Sequence, residues 1–195
     1  MAKAFKRKGD RFVARLDEVE REVVVGLLQQ TLEILEPVHR EPTGDTFDDL
    51  VATLGVRPLS DPSITPQTPF DPAMERLLPS ANRDDPVMAA EFRRLTEHGL
   101  RERKTANLAT AISALLTPDG DKVSLDPEQA QAMVVALTDV RLLLGERLGL
   151  RTDDDADALQ DRLEAASEGD SELYLAAYYD FMTWLQESLT QALMA

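Results

Sequence analysis

The chain has 195 residues, a formal net charge of −15, 43% hydrophobic residues and no cysteine. This length is enough for one domain with a buried core, and the lack of cysteine excludes disulfides, thiol catalysis and cysteine-ligated zinc. The strong negative charge disfavours a general nucleic-acid binder, because the phosphate backbone attracts clustered cations and repels an acidic surface.

The first sixteen residues predict a basic β-hairpin. Phe5 and Arg7, then Phe12 and Ala14, alternate on either side of a Gly-Asp pair that suits a tight turn. Residues 1–15 hold six Lys or Arg against one Asp. We expect four of these cations to contact a partner. They are Lys6, Arg7, Lys8 and Arg11.

A first helix is predicted over residues 17–36, with Asp17 and Glu20 spaced as a capping box and Pro37 ending the pattern. Residues 37–85 form a proline-rich connecting segment, since nine of the eleven prolines lie between Pro37 and Pro86. Short helices are predicted within this segment at residues 46–54 and 72–78. Its composition favours an extended connection or a mobile switch segment.

Residues 86–195 predict a helical bundle. Asp85-Pro86 and Asp126-Pro127 each place a capping acid before a proline, a strong signal for a helix start. These helices are expected to run to about residues 116 and 148, with a short extended piece at residues 123–125 between them. A shorter helix follows Thr152, and a last long helix begins near residue 171. We therefore expect a single mainly α domain, residues 1–195, with about four long helices and the N-terminal hairpin.

The second long helix concentrates cations in an otherwise acidic chain. Residues 91–104 contain five Lys or Arg against three Glu. Four of them are candidate partner contacts, namely Arg93, Arg101, Arg103 and Lys104. The alternative is that they pair along the helix, as Glu97 could with Arg93 or Arg101, because residues four apart are neighbours.

Two charged residues fall on apolar helix faces. Arg141 is spaced with buried-type residues of the third long helix, and Asp180 with Leu173, Ala177 and Trp184 of the last. A buried charge needs a partner of opposite sign, so we expect Arg141 to pair with Asp180, or failing that with Glu91. The functional alternative is a polar pocket for a phosphate or carboxylate. Its candidate residues are Arg94, Arg101, Arg141 and Asp180.

Motifs for catalysis are missing from the sequence. It contains no phosphate-binding loop, no dinucleotide fingerprint, no Gly-x-Ser-x-Gly and no His-Glu-x-x-His. Residues 153–155, three consecutive Asp, lie at a predicted helix start, where acids complement the helix dipole. We therefore predict no catalytic, cofactor-binding or metal-binding residue, and no enzyme activity.

Three sequence blocks together resemble a known family. They are residues 85–97, residues 141–149 and residues 179–189, which include Glu91-Phe92-Arg93-Arg94, Gly145-Glu146-Arg147 and Tyr179-Asp180-Phe181. They resemble an actinobacterial family classified as a domain of unknown function. Its genes commonly lie near that of the Clp-protease adaptor, and some members are named oxidative-stress transcriptional regulators. The resemblance implies a regulator that acts through a protein partner such as a sigma factor. Thiol sensing cannot operate in this cysteine-free chain.

The function expected from the sequence is therefore a non-enzymatic regulatory or interaction protein with a protein partner. No apolar stretch is long enough to span a bilayer, which favours a cytoplasmic protein without a membrane partner. A small enzyme or ligand-binding domain with an Arg-lined pocket is the second alternative. Direct DNA binding through the basic hairpin is the third and least favoured, and oligomerisation stays open.

Overall fold

A computed structural model describes residues 1–35, 72–79, 86–167 and 169–195, with the backbone alone described for residues 86–95. Six helices and three strands lie within these residues. The strands are β1 (Lys3–Lys8), β2 (Arg11–Arg15) and β3 (Lys122–Leu125), and the helices are α1 (Glu18–Leu35), α2 (Pro72–Leu77), α3 (Pro86–Leu116), α4 (Pro127–Arg147), α5 (Asp153–Ala165) and α6 (Ser171–Met194). The predicted class, mainly α with an N-terminal hairpin, is confirmed.

Local capping signals set two helix starts. In α1, the Glu20 backbone N–H donates to Asp17 Oδ1 at 3.0 Å, and Glu20 Oε2 accepts from the Asp17 N–H at 2.9 Å. In α4, Asp126 and Gln129 exchange the same two bonds, and proline occupies the first turn. Each box satisfies backbone donors that have no partner inside the helix, so the helix begins where the sequence places it.

Most of the proline-rich segment predicted over residues 37–85 lies outside the described residues, including the helix predicted at residues 46–54. The helix predicted at residues 72–78 is confirmed as α2. Arg76 Nε anchors it by a 2.9 Å bond to Glu146 Oε2 on α4, and Arg151 binds the same carboxylate. These bonds from Arg151 and Arg76 hold the pKa of Glu146 below its usual range.

The hairpin joins a third strand to make an antiparallel sheet of order β1-β2-β3. Gly9 takes a positive φ of 66° in the loop between β1 and β2, a conformation that costs glycine little. One face of the sheet packs on the helices. Its buried residues are Phe5, Phe12, Ala14, Val123 and Leu125.

Helix α4 lies at the centre of the helical layer. It packs against α1, α2, α3 and α6, and a continuous core joins these helices to the inner face of the sheet. Helix α6 covers β1, and Ser188 Oγ accepts the backbone N–H of Phe5 at 3.2 Å. The core therefore holds the sheet from one side, and its other face is directed to solvent.

Candidate functional site: the basic outer face of the sheet

The solvent-directed face of the sheet is a continuous cationic surface. In β2 the buried Phe12 and Ala14 alternate with Arg11, Val13 and Arg15, which must project from the opposite face. Residues paired across antiparallel strands share a face, so the partners of Arg11, Val13 and Arg15 complete it. We call this surface the outer face. Its six cations are Lys3, Lys6, Lys8, Arg11, Arg15 and Lys122.

The register of the outer face places like charges directly opposite one another. Lys8 pairs with Arg11, and Arg15 pairs with Lys3 on one side and with Lys122 on the other. The three strands contain no Asp or Glu. Such a surface carries a positive potential that attracts anions, although the whole chain is acidic.

Most cations of the outer face have no acidic partner within the described part of the chain. Lys3, Lys6, Lys8 and Arg15 make no ion pair there. Arg11 is engaged, since its guanidinium donates to the Ser124 carbonyl at 2.8 Å and lies 3.9 Å from Asp126 Oδ2. Lys122 lies 4.0 Å from Asp119 Oδ2. Arg7, predicted with this group, pairs with the buried Phe12 and so belongs to the rim, where it donates to the Gly9 carbonyl at 3.2 Å.

On α3, Arg101 is used inside the fold. Its guanidinium donates to the Leu35 carbonyl at 2.5 Å and to Glu97 Oε1 at 2.7 Å, and the side chain is only 18% exposed. Helix α1 has no basic residue in its last turn. Arg101 therefore supplies, from α3, the positive charge that stabilises the carboxyl end of α1. The expectation that Arg101 is an exposed cation was wrong, and its contact with a partner stays a prediction.

Lys104 is also used inside the fold. Its Nζ bonds Asp139 Oδ1 of α4, and the Asp139 side chain is 1% exposed. Burial raises the pKa of Asp139, and the bond and charge of Lys104 oppose that rise. The expectation that Lys104 is an exposed cation was therefore also wrong, and its contact with a partner stays a prediction. Arg103 does remain exposed, with a 3.3 Å bond to the Gly99 carbonyl, whereas the side chains of Glu91, Arg93 and Arg94 lie outside the described residues.

The ion pair predicted between Arg141 and Asp180 was wrong. Arg141 is half-buried, donates to Gln186 Oε1 at 2.7 Å and to the Tyr179 hydroxyl at 3.4 Å, and stacks its guanidinium over the Tyr179 ring. Asp180 is exposed because the buried stripe of α6 runs through Met182, Leu185, Leu189 and Ala192. Its predicted neighbours Ala177 and Trp184 lie on the exposed side.

The family is decided by a match over almost the whole chain. A family model described as "Domain of unknown function (DUF2017)" matches residues 2–193. The chain belongs to the DUF2017 family. No curated protein and no solved structure matches it significantly. The match runs from β1 to the last turn of α6, so it covers both the sheet and the helices that carry it. None of the described helices in this DUF2017 chain is long and apolar enough to cross a membrane.

The DUF2017 structure also bears on the predicted Arg-lined pocket. Arg101 binds α1, whereas Arg141 binds α6, and they share no bonded partner among the described residues. With Asp180 exposed, the described members of the predicted pocket do not form one polar site.

Sequence reasoning overlooked three members of the outer face, Lys3, Arg15 and Lys122, and the buried Asp139. Alternation within β2 places Arg15 on the same face as Arg11, so Arg15 could have been predicted from the sequence. Lys122 joins through pairing between strands more than a hundred residues apart, for which no local signal exists. Asp139 follows Ala136 by three residues and precedes Leu143 by four, a spacing typical of one helix face.

Proposed function

We propose that this DUF2017 protein is a non-enzymatic regulatory protein that binds an acidic surface of a protein partner through the outer face. One observation carries the proposal: the sheet sets cations directly opposite one another and offers most of them no acid within the described residues. Like charges opposite each other destabilise a strand pair, by up to about 1 kcal/mol. A surface that destabilises the fold in this way is better explained by an external anion than by a structural role.

A protein is a better partner than nucleic acid for this chain. The net charge is −15, and α5 carries Asp or Glu at six of its thirteen positions. A phosphate backbone would meet repulsion from most of the molecule, whereas a folded partner can present a local acidic patch to the outer face alone.

The family resemblance supports a place in transcription. The three sequence blocks resemble actinobacterial proteins encoded near the Clp-protease adaptor, some of them named oxidative-stress transcriptional regulators. On that basis we place the partner among cytoplasmic transcription components such as a sigma factor. The missing catalytic motifs, and the separate engagement of Arg101 and Arg141, support the non-enzymatic assignment over the Arg-lined pocket.

The test is a pull-down from native cytosol, followed by binding kinetics with the purified partner. Exposed cations at an interface mainly accelerate association. The Lys6→Glu/Lys8→Glu variant should therefore associate about tenfold more slowly at low salt, with little change in its dissociation rate. The difference should shrink at about 0.5 M salt, where charges are screened over a few ångströms. Arg103→Glu is the matched control, because Arg103 is an exposed cation outside the sheet, and it should stay within about twofold of wild type.

Other outcomes would point elsewhere. Unchanged kinetics in the Lys6→Glu/Lys8→Glu variant would remove the outer face as the contact. Binding of duplex DNA with a steep salt dependence would replace the protein partner by nucleic acid. If the protein turned over a phosphorylated or carboxylated metabolite, and Arg141→Met abolished that turnover, the protein would be an enzyme and the regulatory proposal would be wrong.

A further inference from the structure

A second surface feature lies beside the sheet, in a shallow groove between α1 and the end of α3. Its volume is about 200 Å³, and three of its six lining residues are apolar. The rim residue Leu116 is 62% exposed, although it is a leucine. The lining residues are Arg21, Glu22, Val25, Gly26, Gln29 and Leu116. We call this feature the α1 groove.

Gly26 has no structural explanation within the described fold. It stands in the middle of the 18-residue α1, where glycine is less stable than alanine. A Cβ at Gly26 would meet no atom within 4 Å, and its backbone is not in the positive-φ region. The absent side chain therefore does nothing for internal packing. It widens the α1 groove and brings backbone to its surface, as a site of close approach by another molecule requires.

The α1 groove adjoins one end of the outer face. Arg21, in the groove lining, donates to the Gly120 carbonyl at 3.3 Å, and the Leu16 N–H donates to the Asp121 carbonyl at 2.9 Å. These bonds fix the start of α1 beside Lys122. At about 1.5 Å per residue, Gly26 lies about 12 Å along α1 from its first residue. Gly26 therefore lies about two helical turns from the end of the sheet that carries Lys122.

We infer that the α1 groove and the outer face form one interface, occupied by an acidic, amphipathic segment of the partner. An aliphatic side chain of that segment sits over Gly26 between Val25 and Leu116, and its carboxylates lie on the outer face. The inference rests on the proposed function and adds the chemistry of the bound segment.

The test uses four synthetic helical peptides that combine Glu or Gln on one face with Leu or Ser on the other. Binding is measured by titration, and backbone amide chemical shifts locate the contact. The Glu/Leu peptide should shift amides of both the outer face and the α1 groove. The Glu/Ser peptide should shift the outer face alone and bind about tenfold more weakly, the effect of losing one buried aliphatic side chain.

The Gly26→Ala variant tests whether Gly26 serves binding, because its expected effects on stability and on peptide affinity are opposite. It should raise the melting temperature by about 2–4 °C, because alanine favours the helix, and yet weaken the Glu/Leu peptide severalfold by narrowing the groove. Gln30→Ala is the control, since Gln30 is exposed on α1 outside the groove lining, and it should leave peptide affinity unchanged.

The outcomes distinguish this inference from the proposed function. Equal binding of Glu/Leu and Glu/Ser peptides, both at the outer face, would remove the α1 groove and leave the outer face standing. Absence of any peptide-induced shift on the outer face would overturn both. Groove shifts that grow with protein concentration without peptide would identify a second copy as the occupant and overturn the inference.

Discussion

The cations of α3 and those of the outer face are the same residue types in one acidic chain, and the fold uses them differently. Arg101 and Lys104 lie between helices, where a carbonyl from α1 and a carboxylate from α4 reach them. Lys6 and Lys8 lie on a face that none of the described helices covers, opposite valine and arginine. A cluster of cations in a sequence therefore predicts a binding surface only where the topology supplies no internal partner.

The largest effect should come from breaking the Lys104–Asp139 pair. Lys104→Met leaves the carboxylate of Asp139 buried and unpaired, at a cost of about 3–5 kcal/mol in the free energy of unfolding. Lys104→Met/Asp139→Leu removes both charges and should recover most of that loss. Denaturant unfolding at neutral pH measures both variants. If the double variant were as unstable as the single one, Lys104 and Asp139 would stabilise the fold by more than neutralising each other's charge.

Lowering the pH should relieve part of the cost of Lys104→Met. Burial raises the pKa of Asp139 in the folded state, and the bond and charge of Lys104 oppose that rise, so the Lys104→Met variant should have a still higher Asp139 pKa. The folded state then binds a proton more tightly than the unfolded state, so stability rises as the pH falls from above the raised pKa towards the ordinary value. A cost independent of pH would contradict this.

A smaller loss should separate Arg101 from its neighbour Arg103. Arg101→Gln removes the charge and two strong bonds at the end of α1, which should lower the free energy of unfolding by about 1–2 kcal/mol. Arg103→Gln removes an exposed cation with one weak contact and should change stability by less than about 0.5 kcal/mol. Equal losses in the two variants would mean that Arg101 does not hold α1.

The helices and the hairpin could be predicted because their signals are local. Each signal is read from residues that are close together in the sequence. These signals are the capping acids followed by proline, the glycine at the β-turn and the helical periodicity. The rotation of α6 could not be fixed in the same way. Its apolar residues surround most of the helix, so Trp184 and Ala177 offered a plausible inward stripe, and packing on β1 and α4 selected another.

The candidate site was predictable only in part for a related reason. Sequence shows where cations are, and the basic hairpin was found on that ground. The Glu97–Arg101 pair, four residues apart on one helix, could be predicted in this way. The other partners could not, because the Leu35 carbonyl that binds Arg101, the Asp139 carboxylate that binds Lys104 and the Ser124 carbonyl that binds Arg11 come from distant parts of the chain. The pairing of β2 with β3 likewise joins distant residues, so the full outer face required the structure.

The smallest effect, and the most diagnostic, should come from Lys8. Lys8→Glu places an acid directly opposite Arg11 and replaces repulsion by attraction, so it should raise the free energy of unfolding by about 0.2–1 kcal/mol at low salt. Lys6→Glu is the control, since Lys6 faces Val13 and gains no such pair. The gain should fade at high salt, because exposed charges are screened. A variant that is more stable yet associates more slowly with the partner would show that the lysine serves binding. A loss of stability in Lys8→Glu would instead make the cations of the outer face part of what holds the sheet together.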